Sequence, residues 1–229
     1  MTRRHAPCLA LRAAPRRFDA DERRRTAAPF LVALLALCGC SVGEGEGWVA
    51  SDRLYMQDCW NGPFDLGPDF FAANPFREEH LIIRVQRGDA IEERSDGLTV
   101  LVNDVSELRQ RLGEPVPIGL PVGVAPPGTP VMETDTPPKV SLTLYLHNSC
   151  HLQNAAIHSI SGQIVFDALF SGDPSESRAD LRLTEASFEA QMADPRQLAA
   201  GEPAEEVTST VRGYFRFYYE RGQPAQPFP

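Results

Sequence analysis

From residue 80 onward apolar and polar side chains alternate with a period of two, the pattern of strands that bury one face and wet the other. Leu81, Ile83 and Val85 form one series and Leu98, Val100 and Val102 the next, with Gly88-Asp89 and Asp96-Gly97 marking turns around and between them. Val140, Leu142, Leu144 and Leu146 point one way while Ser141, Thr143, Tyr145 and His147 point the other. Ile160, Gly162, Ile164, Phe166, Ala168 and Phe170 make a longer series, ended by the turn Ser171-Gly172-Asp173-Pro174. In the last, Val211, Phe215, Phe217 and Tyr219 are opposed by Arg212, Tyr214, Arg216 and Tyr218. Two stretches are less regular. The apolar parity switches between Leu183 and Ala186, which predicts a bulge near Thr184 and Glu185, and Trp48 to Tyr55 reads as a first strand of mixed pattern.

One short helix stands out. Asp104 is placed to cap it, Glu107 sits three residues on as in a capping box, Val105, Leu108 and Leu112 share a face, and Gly113 follows as the stop. Residues 59 to 79, rich in Pro, Gly and aromatics, read as a long loop packed by its own rings. Residues 113 to 138 hold eight prolines and cannot run continuously as a central strand, though Ile118, Leu120, Val122 and Val124 leave room for a short edge strand. Residues 193 to 206 read as a mobile loop, and the Pro-rich tail from Gly222 to Pro229 as extended surface chain. Seven or eight short strands with one helix predict an all-β fold, an antiparallel β-sandwich formed by a single domain over residues 48–229.

The amino-terminal fifth follows another logic. Arg23-Arg24-Arg25 precedes the apolar run Phe30-Leu31-Val32-Ala33-Leu34-Leu35-Ala36-Leu37, and Leu37-Cys38-Gly39-Cys40 closes it. The run is right for a signal h-region and too short to span a bilayer core of about 30 Å. No acid lies between Arg23 and Cys40, and the chain then changes at once to Ser41-Val42-Gly43-Glu44-Gly45-Glu46-Gly47. This segment resembles the type II signal peptide and lipobox of bacterial lipoproteins. The resemblance implies cleavage before Cys40, residues 1–39 being the signal peptide, and a cysteine carrying diacylglycerol and a further acyl chain such as palmitate. Residues 40–47 then form an acylated tether, flexible through its glycines. Residues 1 to 22 read as a long n-region or an overextended start, outside the fold in either case. Ser41 lacks the aspartate that retains many such proteins in the inner membrane, so the resemblance favours the outer membrane of the cell envelope.

Trimming 39 of the 229 residues leaves 190, with 14 basic and 28 acidic side chains against 22 and 31 in the whole chain, a net charge of −14. Nucleic acid is excluded as a partner on that balance, because binding it draws on clustered Lys and Arg. The membrane contact expected is through acylated Cys40. With Cys8 and Cys38 removed and Cys40 acylated, Cys59 and Cys150 remain as an even pair in an oxidising compartment, which predicts a disulfide between them.

Candidate chemistry is sparse. His147, His151 and His158 offer imidazoles for zinc, but they leave a strand end without the helical spacing that brings two histidines together. Asp167, Asp173, Glu176 and Asp180 surround one loop, without the spacing of an EF-hand. No Gly-x-Ser-x-Gly elbow exists, Cys150 beside His151 points away from it on an extended chain, and the pairs Glu78-Glu79, Glu92-Glu93 and Glu205-Glu206 read as solvated turn charges. No catalytic residue, metal site or cofactor is therefore assigned. Tyr214 and Tyr218, flanked by Arg212 and Arg216, form a platform of the kind favoured at interfaces, and Trp60 is a second exposed-aromatic candidate. These features predict a lipid-anchored envelope lipoprotein with a non-enzymatic binding or scaffolding role toward an envelope protein or glycan. The alternatives are a lipid-anchored hydrolase of envelope glycans or peptides, and an accessory subunit of an envelope export or assembly machine.

Overall fold

In a computed structural model that describes residues 45–76, 79–88, 95–124, 137–151, 155–170, 183–198 and 205–218, the alternating segments become ten strands. They are β1 (Gly45–Met56), β2 (Trp60–Asp65), β3 (Phe70–Phe76), β4 (His80–Gln86), β5 (Asp96–Asn103), β6 (Pro115–Gly119), β7 (Val140–Leu146), β8 (Ala156–Ala168), β9 (Leu183–Ala193) and β10 (Thr208–Tyr218). Two short helices, α1 (Val105–Arg109) and α2 (Pro195–Leu198), and a 3-10 turn (Glu205–Val207) accompany them. All belong to one compact unit, residues 41–229. The signal segment, the lipobox with Cys40, Tyr219 and the tail lie outside the described residues.

The all-β reading holds, but the two-layer sandwich of seven or eight strands does not. A single sheet runs β2-β1-β10-β9-β8-β6-β7-β5-β4-β3 and curls into a half-barrel. The join is β8. It pairs with β9 along one side, and on the other with β6 through Val116↔Ile164 and with β7 through Thr143↔His158, so the two halves share hydrogen bonds instead of stacking as layers. One core cluster draws side chains from every strand. Phe71, on edge strand β3, reaches across the concave side to stack on Phe217 of β10 at 5.9 Å between centroids.

Irregular patterns in the sequence mark bulges. In β1 the pairing with β2 slips between Ser51 and Leu54, so Val49 and Ser51 point inward before the slip and Leu54 and Met56 after it, with Asp52 and Arg53 exposed between. The bulge expected near Thr184 lies instead on the partner, where β8 slips between Phe166 and Ala168 opposite Ala186 and Glu185. Strand β9 itself alternates without a break, because Thr184 takes an inward position and its Oγ1 accepts a hydrogen bond from the Phe170 N–H at 3.2 Å. A second slip between Ser159 and Ser161 puts Ile157, Ser159 and Ile164 inward and leaves Ile160 half-buried.

Residues 59 to 79 are not one loop but contain β2 and β3; Phe70 and Phe71 of β3, and Leu66 just after β2, are core. The expected edge strand over 118–124 is instead β6, which lies inside the sheet, antiparallel to β8 and parallel to β7. Pro115 and Pro117 are two apart and so turn the same edge of the strand, and Val116 between them retains the N–H a ladder needs. Residues 195 to 198, expected in a mobile loop, form α2.

The glycines expected to make a flexible tether are part of the sheet. Gly45 and Gly47 pair with Phe217 and Phe215, and a Cβ at Gly47 would lie 2.6 Å from the Tyr214 carbonyl oxygen and 3.0 Å from the Phe71 ring. They are there because β3 and β10 close over them.

Asp104 does not cap α1. It sits in the left-handed region, at φ 61°, and makes no side-chain cap bond. Glu79, 25 residues earlier, caps it instead: its carbonyl accepts from Val105 N at 3.1 Å, and its carboxylate accepts from the Ser106 N–H and hydroxyl at 3.1 Å each. Glu107 turns to Lys139 and Arg111.

Cys59 and Cys150 form the expected disulfide, across 91 residues of sequence with Cα atoms 5.6 Å apart. The turn that presents Cys150 is held by buried Asp96, whose carboxylate accepts from the N–H groups of Asn148 and Ser149 at 2.9 and 3.0 Å and from the Ser149 hydroxyl.

Candidate functional site

Three neighbouring strands build the candidate site on the convex side of the sheet. Strand β10 is central there, and its outward positions are Thr210, Arg212, Tyr214, Arg216 and Tyr218 because Val211, Phe215 and Phe217 occupy the alternate, inward positions. Register then fixes the neighbours. Across β1, Trp48 lies opposite Tyr214 and Glu46 opposite Arg216; across β9, Glu189 lies opposite Arg212 and Glu185 opposite Arg216.

Every charge in this ladder is matched. Arg212 donates from Nε to Glu189 at 2.7 Å and from Nη1 to Asp52 at 3.4 Å. Arg216 pairs with Glu185 at 3.3 Å and Glu46 at 3.6 Å, and its guanidinium lies 5.8 Å from the Tyr218 ring centroid. The Tyr214 hydroxyl donates to Glu185 at 3.0 Å; desolvation, and then this bond, push the phenol above its ordinary value. Such exposed pairs contribute little stability each; what they do here is tie Tyr214 to Glu185 and set Arg216 over the Tyr218 ring. Trp48 is 46 % exposed and Tyr218 44 %.

The same face continues into a cleft of about 560 Å³. It opens because β1 pairs backbone to backbone with β10 only as far as Ala50↔Arg212; past the bulge at Asp52 and Arg53, β10 runs on toward Thr208 paired with β9, and β1 reaches it through the Tyr55 N–H, which donates to the Ser209 hydroxyl at 2.7 Å. Asp52, Arg53, Arg212, Thr208, Thr210, Gln191 and Glu205 line it. Arg53 donates to the Glu206 carbonyl at 2.7 Å, which fastens the 3-10 turn to the bulge, and the Gln191 amide donates to the Thr210 hydroxyl at 2.9 Å. The walls therefore offer hydroxyls, an amide, carboxylates and guanidinium groups, a lining suited to a ligand held by hydrogen bonds. No family model, curated protein or solved structure matches the chain.

Of the residues singled out from the sequence, Arg212, Tyr214, Arg216 and Tyr218 are brought together on this face. Trp60 is not among them. It pairs with Met56 on the inward side, is partly buried against the core, meets Phe64 edge-on at 5.6 Å, and donates from Nε1 to the Gly62 and Pro63 carbonyls at 3.3 Å. Trp48, Asp52 and the cleft carry no mark in the sequence reading, and Glu205, read there as a solvated turn charge, lines the cleft. The one available signal was the parity switch in β1, which locates a bulge but not what faces it.

Among the described residues no three His, Cys, Asp or Glu side chains gather as a metal site. His158 bonds through Nδ1 to the Thr143 hydroxyl at 3.0 Å, and burial pushes its imidazole below the ordinary value. His147 lies beside Tyr145 with ring centroids 5.0 Å apart and the planes tilted by 45°. Asp173, Glu176 and Asp180 lie outside the described residues.

A second polar group is structural. Arg84, Gln86 and Tyr145 hold outward positions on β4 and β7, yet each is at most 7 % exposed. Tyr145 donates to Gln86 Oε1 at 3.1 Å and Gln86 donates to the Gly88 carbonyl at 2.8 Å. Gly97 leaves room for the tyrosine ring. Burial raises the Tyr145 phenol and lowers the Arg84 guanidinium, each disfavouring a charged form.

Proposed function

We propose that this protein is a lipid-anchored envelope lipoprotein whose half-barrel binds or scaffolds an envelope protein or glycan, without catalysis of its own. The lipobox-like segment ending at Cys40 supplies the anchor, with an outer-membrane address favoured by Ser41. The observation that carries the binding role is the convex face of β1, β10 and β9, where an ordered ladder of Arg212, Tyr214 and Arg216 leads into the cleft between Asp52, Thr208 and Glu205. A fixed row of aromatic and guanidinium groups beside a hydrogen-bonding cleft suits recognition of a polar polymer, and its preorganised ion pairs lower the ordering cost of binding.

The test is photo-crosslinking in intact cells. A photoreactive side chain at Thr208, in the full chain, should yield a discrete adduct, and the same group at exposed Val122 should not. Digestion of the adduct by protease or by glycan hydrolases then tells protein from sugar. Equal labelling at both positions, or none at Thr208, would refute the assigned face. For the anchor, Cys40→Ala should move the protein from the membrane to the soluble fraction, and persistence in the membrane fraction would refute it.

A further inference from the structure

Among the described residues the large apolar side chains left exposed are Trp48, Leu112, Val122 and Tyr218, and three of these four share one rim of the half-barrel. Trp48 is three residues into β1; Tyr218 ends β10, one position past the Phe217↔Gly45 pair. Leu112 precedes Gly113, whose N–H donates to the Phe166 carbonyl at 2.9 Å, and Phe166 is level across the ladders with Ala186, Phe215 and Gly47. This is the rim where β1 begins.

We infer that this rim is a lipid-facing surface, with Trp48 and Tyr218 seated in the headgroup layer of the bilayer that holds the chain. The inference rests on acylation of Cys40 as proposed above. Gly45 is already paired in the sheet, so five residue steps separate it from Cys40, and a fully extended chain of that length spans at most about 18 Å. An acyl anchor at Cys40 keeps the rim within that distance of the lipid surface. An indole and a phenol, each an apolar body with a polar tip, are the side chains that favour this layer.

Charge plays no part in the docking. Arg216 is matched by Glu46 and Glu185, and Arg212 by Glu189 and Asp52, so the face carries no surplus of positive charge for anionic headgroups. The far end of the molecule is different in kind. Trp60 pairs with Met56 beside the Cys59–Cys150 bridge, eleven residues along the bulged strand from Gly45, at most about 35 Å at a strand's rise. The protein's two tryptophans thus report opposite ends.

The test uses the acylated chain in zwitterionic phosphatidylcholine vesicles whose acyl chains carry bromine, which quenches tryptophan on contact. The wild type should lose part of its emission relative to unbrominated vesicles, and Trp48→Phe, a change at an exposed position, should abolish that loss because Trp60 alone remains. A vesicle-bound, acylated wild type whose emission is indifferent to bromine overturns the inference while leaving the anchor intact. Equal quenching in wild type and Trp48→Phe also overturns it, since the far end would then face lipid. An intact mass showing Cys40 without acyl chains overturns the anchor and this inference together.

Discussion

Gly47→Ala separates a tether from a strand by the sign of its effect. In a flexible tether, alanine for glycine is neutral or, by restricting the unfolded chain, stabilising by about 0.4–1 kcal/mol. In the sheet the new Cβ lies 2.6 Å from the Tyr214 carbonyl oxygen, 3.0 Å from the Phe71 ring and 3.1 Å from the Phe215 Cα. Ordinary contact needs about 3.5 Å. Two of the three obstacles are backbone atoms of β10, which is hydrogen-bonded to β9 along its whole length, and the third belongs to a ring that is itself core. Relief therefore requires β1 to move off β10, and overpacking of this kind costs about 1–3 kcal/mol. For a unit of this size that lowers Tm by roughly 2–12 °C, at about 2–4 °C per kcal/mol. Thermal unfolding of the chain trimmed before residue 41, followed by near-ultraviolet circular dichroism, reads the shift. An unchanged or raised Tm would show that residues 45–47 are not packed strand and would refute the reasoning. Gly45→Ala should behave alike, and the double variant should cost less than the sum, because both glycines make room for Phe71.

Three further outcomes are expected. Replacing Cys59 and Cys150 together by Ser frees a loop of 91 residues and should cost about 4–5 kcal/mol of stability by chain entropy, read from urea midpoints; a loss below about 1 kcal/mol would count against the bridge as a main support. Glu79→Ala should destabilise by about 0.5–2 kcal/mol, the worth of a helix cap, whereas Asp104→Ala should be near neutral, and the reverse order in denaturant melts would overturn the assignment of the cap. Asp194 is buried, which opposes its ionisation, but its bonds to Arg196 at 2.7–3.2 Å hold the carboxyl below its ordinary value. A depressed carboxyl contributes stability above the unfolded-state value, near about 4, and loses it as pH falls through the folded-state one. Tm of the wild type should fall more steeply than that of Asp194→Asn as pH is lowered below about 5, and parallel curves would contradict it.

What could be read from the sequence was what each residue's neighbours along the chain decide. Alternation marked β4, β5, β7 and β10 and their inward residues, since a strand's two faces follow from period two alone. The cysteine count paired Cys59 with Cys150, and alternation put Arg212, Tyr214, Arg216 and Tyr218 on one face. What it could not decide was which strands meet. A strand of a sandwich and a strand of a half-barrel show the same alternation, because each buries one face, and only the length of β8, shared among β9, β6 and β7, makes the sheet one. The local reading of Asp104 failed because Glu79 arrives from elsewhere in the chain, and Gly45 and Gly47 passed for a linker because the atoms they make room for, in Phe71 and β10, lie far away in sequence. The candidate cleft divides in the same way: its Thr208, Thr210 and Arg212 belong to a pattern visible in β10, whereas Asp52 and Glu205 join it through the bulge in β1 and the 3-10 turn that Arg53 fastens to that bulge. Secondary structure and facing are set by short-range backbone geometry, and so are written in the sequence; sheet order, caps and clefts are set by contacts between distant segments, and so are decided only in the folded molecule.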